Sequence, residues 1–181
     1  VGRKSLFYMI GLENGGIISV AKHFPGHGDT DTDSHKDLPY MMHSRARLDS
    51  LELAPFRELI YNGLSGIMTA HLHIPALDAR EKVPSSLSEI VIDTILRKQM
   101  GFNGLVFTDA LSMRGITKNF KPVEAAKLAL LAGNDILLMP EEIPDIIKDL
   151  TRMVKNGKLD AALIDMKCRK VLAAKYWAGL H

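Results

Sequence analysis

Four short apolar runs along this sequence each precede a segment whose apolar residues recur at helical spacing. The runs are residues 16–21, 66–70, 104–108 and 135–139. None of them alternates strictly between apolar and polar positions, which is typical of strands that are covered on both faces in a parallel sheet. Because these strands alternate with helices, the pattern predicts βα units in an α/β fold, in one domain over residues 1–181 with no second domain.

The segments between the runs carry the signals of helix ends. We predict helices at residues 48–62, 89–100, 122–131, 143–156 and 160–178, after the tail of a helix at residues 5–12. Ser88 is the predicted N-cap of the second of these helices, and Gly133 is the predicted stop of the third. Four βα units fit either an open doubly wound sheet or half of a (β/α)8 barrel, since a complete barrel needs about 250 residues.

Composition and charge exclude several classes of partner. The sequence is 46% hydrophobic and 24% charged, which is ordinary for a globular domain. A net charge of +2 provides no electrostatic surface for nucleic acid or an anionic membrane. The single cysteine, Cys168, cannot form an internal disulfide or a cysteine-rich metal site. No apolar run is long enough for a transmembrane helix, and residues 1–4 lead into no signal peptide. We therefore expect neither nucleic acid nor a membrane as a partner.

Three polar residues follow the first three apolar runs. They are His23, His71 and Asp109. In parallel βα architectures the active site assembles at the carboxyl ends of the strands, whether the sheet is open or closed. One such residue has a structural role as often as a catalytic one, but three in succession favour a functional site at this edge.

The segment at residues 24–39 is rich in histidine and aspartate and lacks apolar periodicity. A loop of this length inside a compact domain is more often functional than not. Its Asp29, Asp31 and Asp33 have the spacing that opens an EF-hand, but Ser34 and Tyr40 stand where that loop requires glycine and glutamate, so calcium is excluded.

Zinc is harder to exclude, because imidazoles suit this metal. His23, His27, His35 and His71 are the candidate ligands, although their spacings match no HExxH-type motif and we expect no metal.

A serine-triad interpretation of Asp33-Ser34-His35 fails, since adjacent residues cannot align a nucleophile, a base and an orienting acid. In an extended segment, side chains two residues apart point the same way. Asp33 can therefore accept a hydrogen bond from His35, raise the basicity of that ring and leave its other nitrogen available for proton transfer.

These motifs together resemble a known family. Residues 22–28, Lys-His-Phe-Pro-Gly-His-Gly, followed by residues 33–35, Asp-Ser-His, are similar to the signature of family 3 glycoside hydrolases, in the bacterial β-N-acetylglucosaminidase branch. The similarity continues through residues 84–88, 101–109 and 132–135. The resemblance implies a (β/α)8 TIM barrel, of which this chain supplies about the last four βα units.

The resemblance also implies roles for individual residues. Asp109 matches the catalytic nucleophile, His35 the general acid/base and Asp33 the residue that orients His35. Lys22 and His23 match residues that hold the hydroxyls of the bound sugar. No cofactor is implied, and His71 receives no definite role.

The implied activity is that of a retaining exo-β-N-acetylglucosaminidase, which acts on small cell-wall-derived saccharides through a covalent glycosyl-aspartate. Alternatives are a glycoside phosphorylase of the same branch and an inactive half-barrel or binding module. The missing half of the barrel would come from a partner fragment or from a second copy of the chain. By the same resemblance we expect a cytoplasmic location, with export as the alternative.

Overall fold

A three-stranded parallel sheet forms the centre of the computed structural model, which describes residues 1–28 and 38–180. The strands are β1 (Val20–Phe24), β2 (Gly66–Thr69) and β3 (Leu105–Thr108), and they lie side by side in chain order. Helical segments connect them, so the predicted α/β fold with parallel βα units is confirmed. The carboxyl ends of all three strands consequently meet at one edge of the sheet.

The first strand begins later than its apolar run predicts. The run at residues 16–21 places Lys22 and His23 beyond the strand, whereas both lie inside β1. The register with β2 shifts between Lys22, which is opposite Met68, and Phe24, which is opposite Thr69. His23 is therefore the extra residue of a β-bulge, an irregularity that redirects side chains and is common near active sites.

The fourth apolar run was predicted to be a strand; it lies beside β3 but does not form a regular strand. Its contact with the sheet is an isolated parallel bridge between Phe107 and Ile136. On either side of the bridge, backbone hydrogen bonds from Asp135 N–H to the Val106 carbonyl and from Leu111 N–H to the Leu138 carbonyl are supplemented by side chains. The N–H of Val106 donates to Asp135 Oδ2 at 2.9 Å, and the N–H of Leu138 donates to Thr108 Oγ1 at 2.9 Å.

The helices pack around this sheet. The α-helices are α1 (Gly2–Asn14), α2 (Arg45–Arg47), α3 (Ala54–Tyr61), α4 (Arg114–Thr117), α5 (Pro122–Ala132), α6 (Ile143–Lys155) and α7 (Ala161–Trp177). Two π-helices (Leu48–Glu52 and Ile90–Gln99) and a 3-10 turn (Ser85–Leu87) complete the set within the described ranges.

Most of the predicted helix ends are found close to their predicted positions. Gly133 ends α5 with a φ of 119°, and the Ser88 hydroxyl accepts a hydrogen bond from the N–H of Val91 at 3.1 Å. The helix predicted at residues 48–62 is divided instead into a π-helix and α3. Pro55 lies at the start of α3 and has no N–H to continue the hydrogen bonds of the preceding segment, so the helix restarts there.

Two apolar clusters form the core. The larger lies between the sheet, α1, α3 and the Ile90–Gln99 π-helix, and includes an edge-to-face pair of Phe24 and Phe56 at 5.2 Å. The smaller surrounds α5 and includes Ile116 and Ile146. No helix in the described part of the chain is both long and apolar enough to span a bilayer.

Candidate functional site

Asp109 is the first residue after β3, and two hydrogen bonds fix its position. Its backbone N–H donates to the carbonyl of Thr69, at the end of β2, over 2.9 Å. Its Oδ1 atom accepts a hydrogen bond from the N–H of Ala110 at 2.8 Å. The other carboxylate oxygen, Oδ2, faces His23, and the side chain is 21% exposed. A carboxylate held through one oxygen, with the other directed toward an accessible edge, is suited to nucleophilic attack.

His23 brings its ring to Asp109 from the bulge in β1. The Nε2 atom lies 3.6 Å from Asp109 Oδ2, which is too long for a hydrogen bond. Burial lowers the pKa of His23 from 6.5, and the charge of Lys22 acts in the same direction, whereas the charge of Asp109 opposes them. The ring is therefore mostly neutral near pH 7, so it can both donate and accept a hydrogen bond.

Lys22 and His27 lie next to His23. Lys22 is an exposed residue of β1, and the His27 ring meets the His23 ring edge-on with centroids 6.0 Å apart. Lys22, His23 and His27 are among the residues that line a cavity of about 1150 Å³ between α1, β1 and α3. The structure thus brings Asp109 and two predicted sugar-binding residues to the same edge of the sheet.

His71 also lies at this edge but does not face the cavity. Its ring is 1% exposed and has a protein partner at each nitrogen, Ser86 Oγ at 2.7 Å and the Ala110 carbonyl at 3.0 Å. These contacts leave His71 unsuited to metal binding. Among residues 1–28 and 38–180, no three histidine, cysteine or acidic side chains are grouped as a metal site would require.

A buried polar network beneath the strand ends was not predicted as part of the site. The Asn134 side chain donates to the carbonyls of Ser86 at 2.8 Å and Ala129 at 2.7 Å. Its Oδ1 lies 3.1 Å from the hydroxyl of Thr69. Asn134 therefore joins the end of β2, the 3-10 turn and α5. The only sequence signal for this role was its place in the family-like run at residues 132–135.

The predicted acid/base pair, Asp33 and His35, lies outside the described residues. Their roles remain predictions from the sequence. The chain on either side is described at Gly28 and Leu38.

Comparison with known proteins gives consistent matches. The model of the glycosyl hydrolase family 3 N terminal domain matches residues 1–174. Beta-hexosaminidase A of Pseudoalteromonas piscicida is 42% identical over 139 residues, which cover 71% of this chain and 23% of that protein. Among solved structures, a family 3 beta-N-acetylglucosaminidase from Paenibacillus sp. str. FPU-7 matches with a TM-score of 0.94 and 38% identity, over 99% of this chain and 34% of that one.

A second solved structure that matches this chain is named for a different activity. The beta-glucoside phosphorylase BglX matches with a TM-score of 0.92 and 26% identity, over 99% of this chain and 34% of that one. In each of these comparisons the chain spans less than half the length of the protein that it matches.

Proposed function

This chain belongs to glycosyl hydrolase family 3, and on that basis we propose that it carries the nucleophile-bearing part of a retaining exo-β-N-acetylglucosaminidase. The substrates would be small cell-wall-derived saccharides with terminal N-acetylglucosamine. The observation that carries the proposal is the Asp109 carboxylate, held through Oδ1 by Ala110 while Oδ2 faces His23 at 3.6 Å. The names of the hexosaminidase and N-acetylglucosaminidase relatives support the choice of sugar.

The proposed reaction has two steps. Asp109 Oδ2 attacks the anomeric carbon, the bond from that carbon to the leaving oxygen breaks, and His35 gives its proton to that oxygen. Water then attacks the same carbon, gives a proton to His35 and displaces Asp109. Two inversions at one carbon retain its configuration. Asp33 would orient His35 through a hydrogen bond to its ring.

Lys22 and His23 would hold the sugar against Asp109. The exposed ammonium group of Lys22 can donate to sugar hydroxyls, and the mostly neutral ring of His23 can donate to one hydroxyl or accept from it. Because His23 Nε2 lies only 3.6 Å from Asp109 Oδ2, a hydroxyl bound there would sit next to the reacting carbon.

The chain would supply about the last four βα units of a (β/α)8 TIM barrel, and residues 1–181 would form one domain. The parallel strand order and the greater length of the relatives support this arrangement. Val20 on β1 remains 37% exposed, as expected where a further strand would pair. The remaining units would come from further sequence, from a partner fragment or from a second copy.

A glycoside phosphorylase is a second candidate, favoured by the structural match to the beta-glucoside phosphorylase. Phosphate would replace water in the second step and leave as a glycosyl phosphate. A neutral or cationic histidine as acid/base, in place of a carboxylate, would admit this anion more readily.

Trapping with a fluorosugar tests the nucleophile. In a protein of the relatives' full length that carries this chain, a 5-fluoro N-acetylglucosaminyl analogue, which keeps the 2-acetamido group, should label Asp109, located by peptide mass spectrometry. Asp109→Ala should abolish the label and lower kcat by about 10⁴-fold or more, as losses of nucleophiles do. Asp145→Ala removes an exposed carboxylate on α6 and should leave labelling and turnover unchanged.

Labelling that survives Asp109→Ala would contradict the assignment. Turnover of an aryl N-acetylglucosaminide with and without phosphate separates the two candidate functions. Hydrolysis should proceed without phosphate, whereas strict dependence on phosphate would identify a phosphorylase.

A further inference from the structure

We propose that His71 is a positioning residue for Asp109, acting through Ala110. The inference rests on the proposed function in one respect, since it takes Asp109 as the residue whose position matters for the reaction. The hydrogen bonds themselves do not depend on the function.

The environment of His71 removes it from direct chemistry. It lies two residues beyond the end of β2, and 1% of its surface is exposed. Both ring nitrogens are engaged by protein atoms, at 2.7 Å and 3.0 Å. A ring enclosed in this way cannot exchange protons with a substrate or bind a metal, so its effect must pass through the atoms that it contacts.

The partners of the ring determine its protonation. A carbonyl oxygen has no hydrogen to give, so the contact with Ala110 requires a proton on Nε2. Nδ1 is then the acceptor of a hydrogen bond from the Ser86 hydroxyl. Burial lowers the pKa of His71 from 6.5, against the opposing influence of the Ala110 carbonyl and of the Asp109 charge. The ring is therefore neutral near pH 7, with one fixed tautomer.

Backbone hydrogen bonds hold Ser86, the partner of the ring at Nδ1, in place. The 3-10 turn that contains Ser86 is joined to the chain on both sides of His71. The N–H of Ser86 donates to the Ala70 carbonyl at 3.1 Å, and the N–H of Ser85 donates to the Leu72 carbonyl at 2.7 Å. Ser86 thus holds the ring of His71 through Nδ1, and the ring holds the Ala110 carbonyl through Nε2.

Ala110 connects this support to the carboxylate. Its carbonyl accepts from His71 at 3.0 Å, while its N–H donates to Asp109 Oδ1 at 2.8 Å. A rotation of Ala110 would change both contacts and turn Oδ2 away from its present direction. Small misplacements of a reacting group cost up to about 100-fold in rate. The hydrogen bond from His71 is therefore placed to keep Oδ2 aligned with the anomeric carbon.

Two amide substitutions separate the two contacts of the ring. The side-chain nitrogen of glutamine can occupy the position of Nε2, so His71→Gln should keep the donor to Ala110. Asparagine is shorter and reaches only the position of Nδ1, so His71→Asn should keep the Ser86 contact and lose the donor to Ala110. Both variants remove the ring, and we expect both to lower the melting temperature by similar amounts.

Kinetics then distinguish positioning from a general loss of stability. His71→Asn should lower kcat and the fluorosugar trapping rate together by about 10- to 100-fold, with KM within about 3-fold. His71→Gln should recover kcat to within about 5-fold of the parent protein. Equal kcat values in the two variants, or a loss confined to KM, would overturn the proposal.

A readout without turnover separates this proposal from the proposed function. Amide hydrogen exchange at Ala110 should accelerate by at least about 10-fold in His71→Asn and remain slow in His71→Gln, because only the former releases Ala110. If this difference appears in a protein without glycosidase activity, the proposed function fails and the positioning of Asp109 stands. Unchanged exchange in both variants would overturn the positioning of Asp109 by His71.

Discussion

At the scale of the residue, the two histidines near Asp109 share a lowered pKa but differ in exposure and in hydrogen-bond partners. Burial is the largest cause of the lowered pKa in both His23 and His71. His23 keeps 29% of its side chain exposed and remains available to a ligand, whereas both nitrogens of His71 are bonded to protein. Neither ring adds much positive charge beside Asp109 near pH 7.

The lowered pKa of His71 predicts a loss of stability in acid. In the unfolded chain this histidine has a pKa of about 6.5, above its value in the folded protein. As pH falls below about 6.5, the unfolded state binds the proton first, so the free energy of unfolding decreases until the folded pKa is reached. One histidine of this kind contributes a slope of up to about 1.4 kcal/mol per pH unit.

Urea unfolding of the parent protein and of His71→Gln, from about pH 7 to about pH 5, measures this slope. The variant should be less stable near pH 7 but lose less stability on acidification. His23 adds a slope of the same sign, so the dependence should weaken without disappearing. If the free energy of unfolding depended on pH equally in the two proteins, the pKa of His71 would be the same in the folded and unfolded states, which would contradict the prediction.

At the scale of the element, an ionic cluster at the fourth apolar run attaches α7 to the sheet. The Asp135 side chain is 1% exposed and contacts Arg97 at 2.6 Å, Lys167 at 3.8 Å and Lys170 at 4.0 Å. Lys167 is the one residue of α7 that is buried, and its Nζ donates to the Asn134 carbonyl at 2.7 Å. Removal of the central carboxylate would leave three cations facing one another.

Asp135→Asn should therefore destabilise the protein by about 3–5 kcal/mol, as expected when one partner of a buried ion pair is removed. Urea unfolding gives the loss, and faster amide exchange in α7 would locate it. Asp93→Asn is the matched control, since it breaks the pair with Lys98, whose side chain is 70% exposed, and should leave the urea midpoint nearly unchanged. Similar midpoint shifts in both variants would contradict this role for Asp135.

At the scale of the whole molecule, apolar side chains remain exposed on helices far apart in the sequence. On α1, Phe7 is 63% and Tyr8 73% exposed, and on α7, Tyr176 is 73% and Trp177 52% exposed. Exposed apolar surface of this kind marks an interaction site or a liability to aggregation. A barrel completed by further βα units would cover part of it, consistent with the proposed half-barrel.

The isolated chain should accordingly bind the apolar dye ANS and self-associate, as measured by sedimentation. It should also turn over an aryl N-acetylglucosaminide at least about 100-fold more slowly than a complete barrel does. A chimera in which the rest of the Paenibacillus enzyme surrounds this chain should lose the dye binding and gain turnover. An isolated chain that is monomeric and fully active would contradict the half-barrel. A dimer that is fully active would identify a second copy as the completing partner.

The sequence by itself determined the order of the elements and the edge of the sheet at which His23, His71 and Asp109 meet. The signals used were local: apolar runs, Gly133 as a helix stop, and polar residues that follow strands. Short segments of sequence were therefore enough to predict that Asp109 and His23 lie at the carboxyl edge of the sheet. The bulge at His23 and the single bridge at Ile136 were not predicted, because they depend on which groups of a neighbouring segment satisfy each backbone hydrogen bond.

Only the tertiary structure decided the burial and the partners of the polar residues at this edge. His71, Ser86 and Ala110 are separated by 15 to 39 residues and meet through contacts that no periodicity encodes. Asn134 joins Thr69 over 65 residues for the same reason. Burial is the largest cause of the lowered pKa of His23 and His71, and the contacts with Ser86 and Ala110 fix the nitrogens of His71. The identity of each residue is local information, whereas its burial and partners are properties of the packed fold.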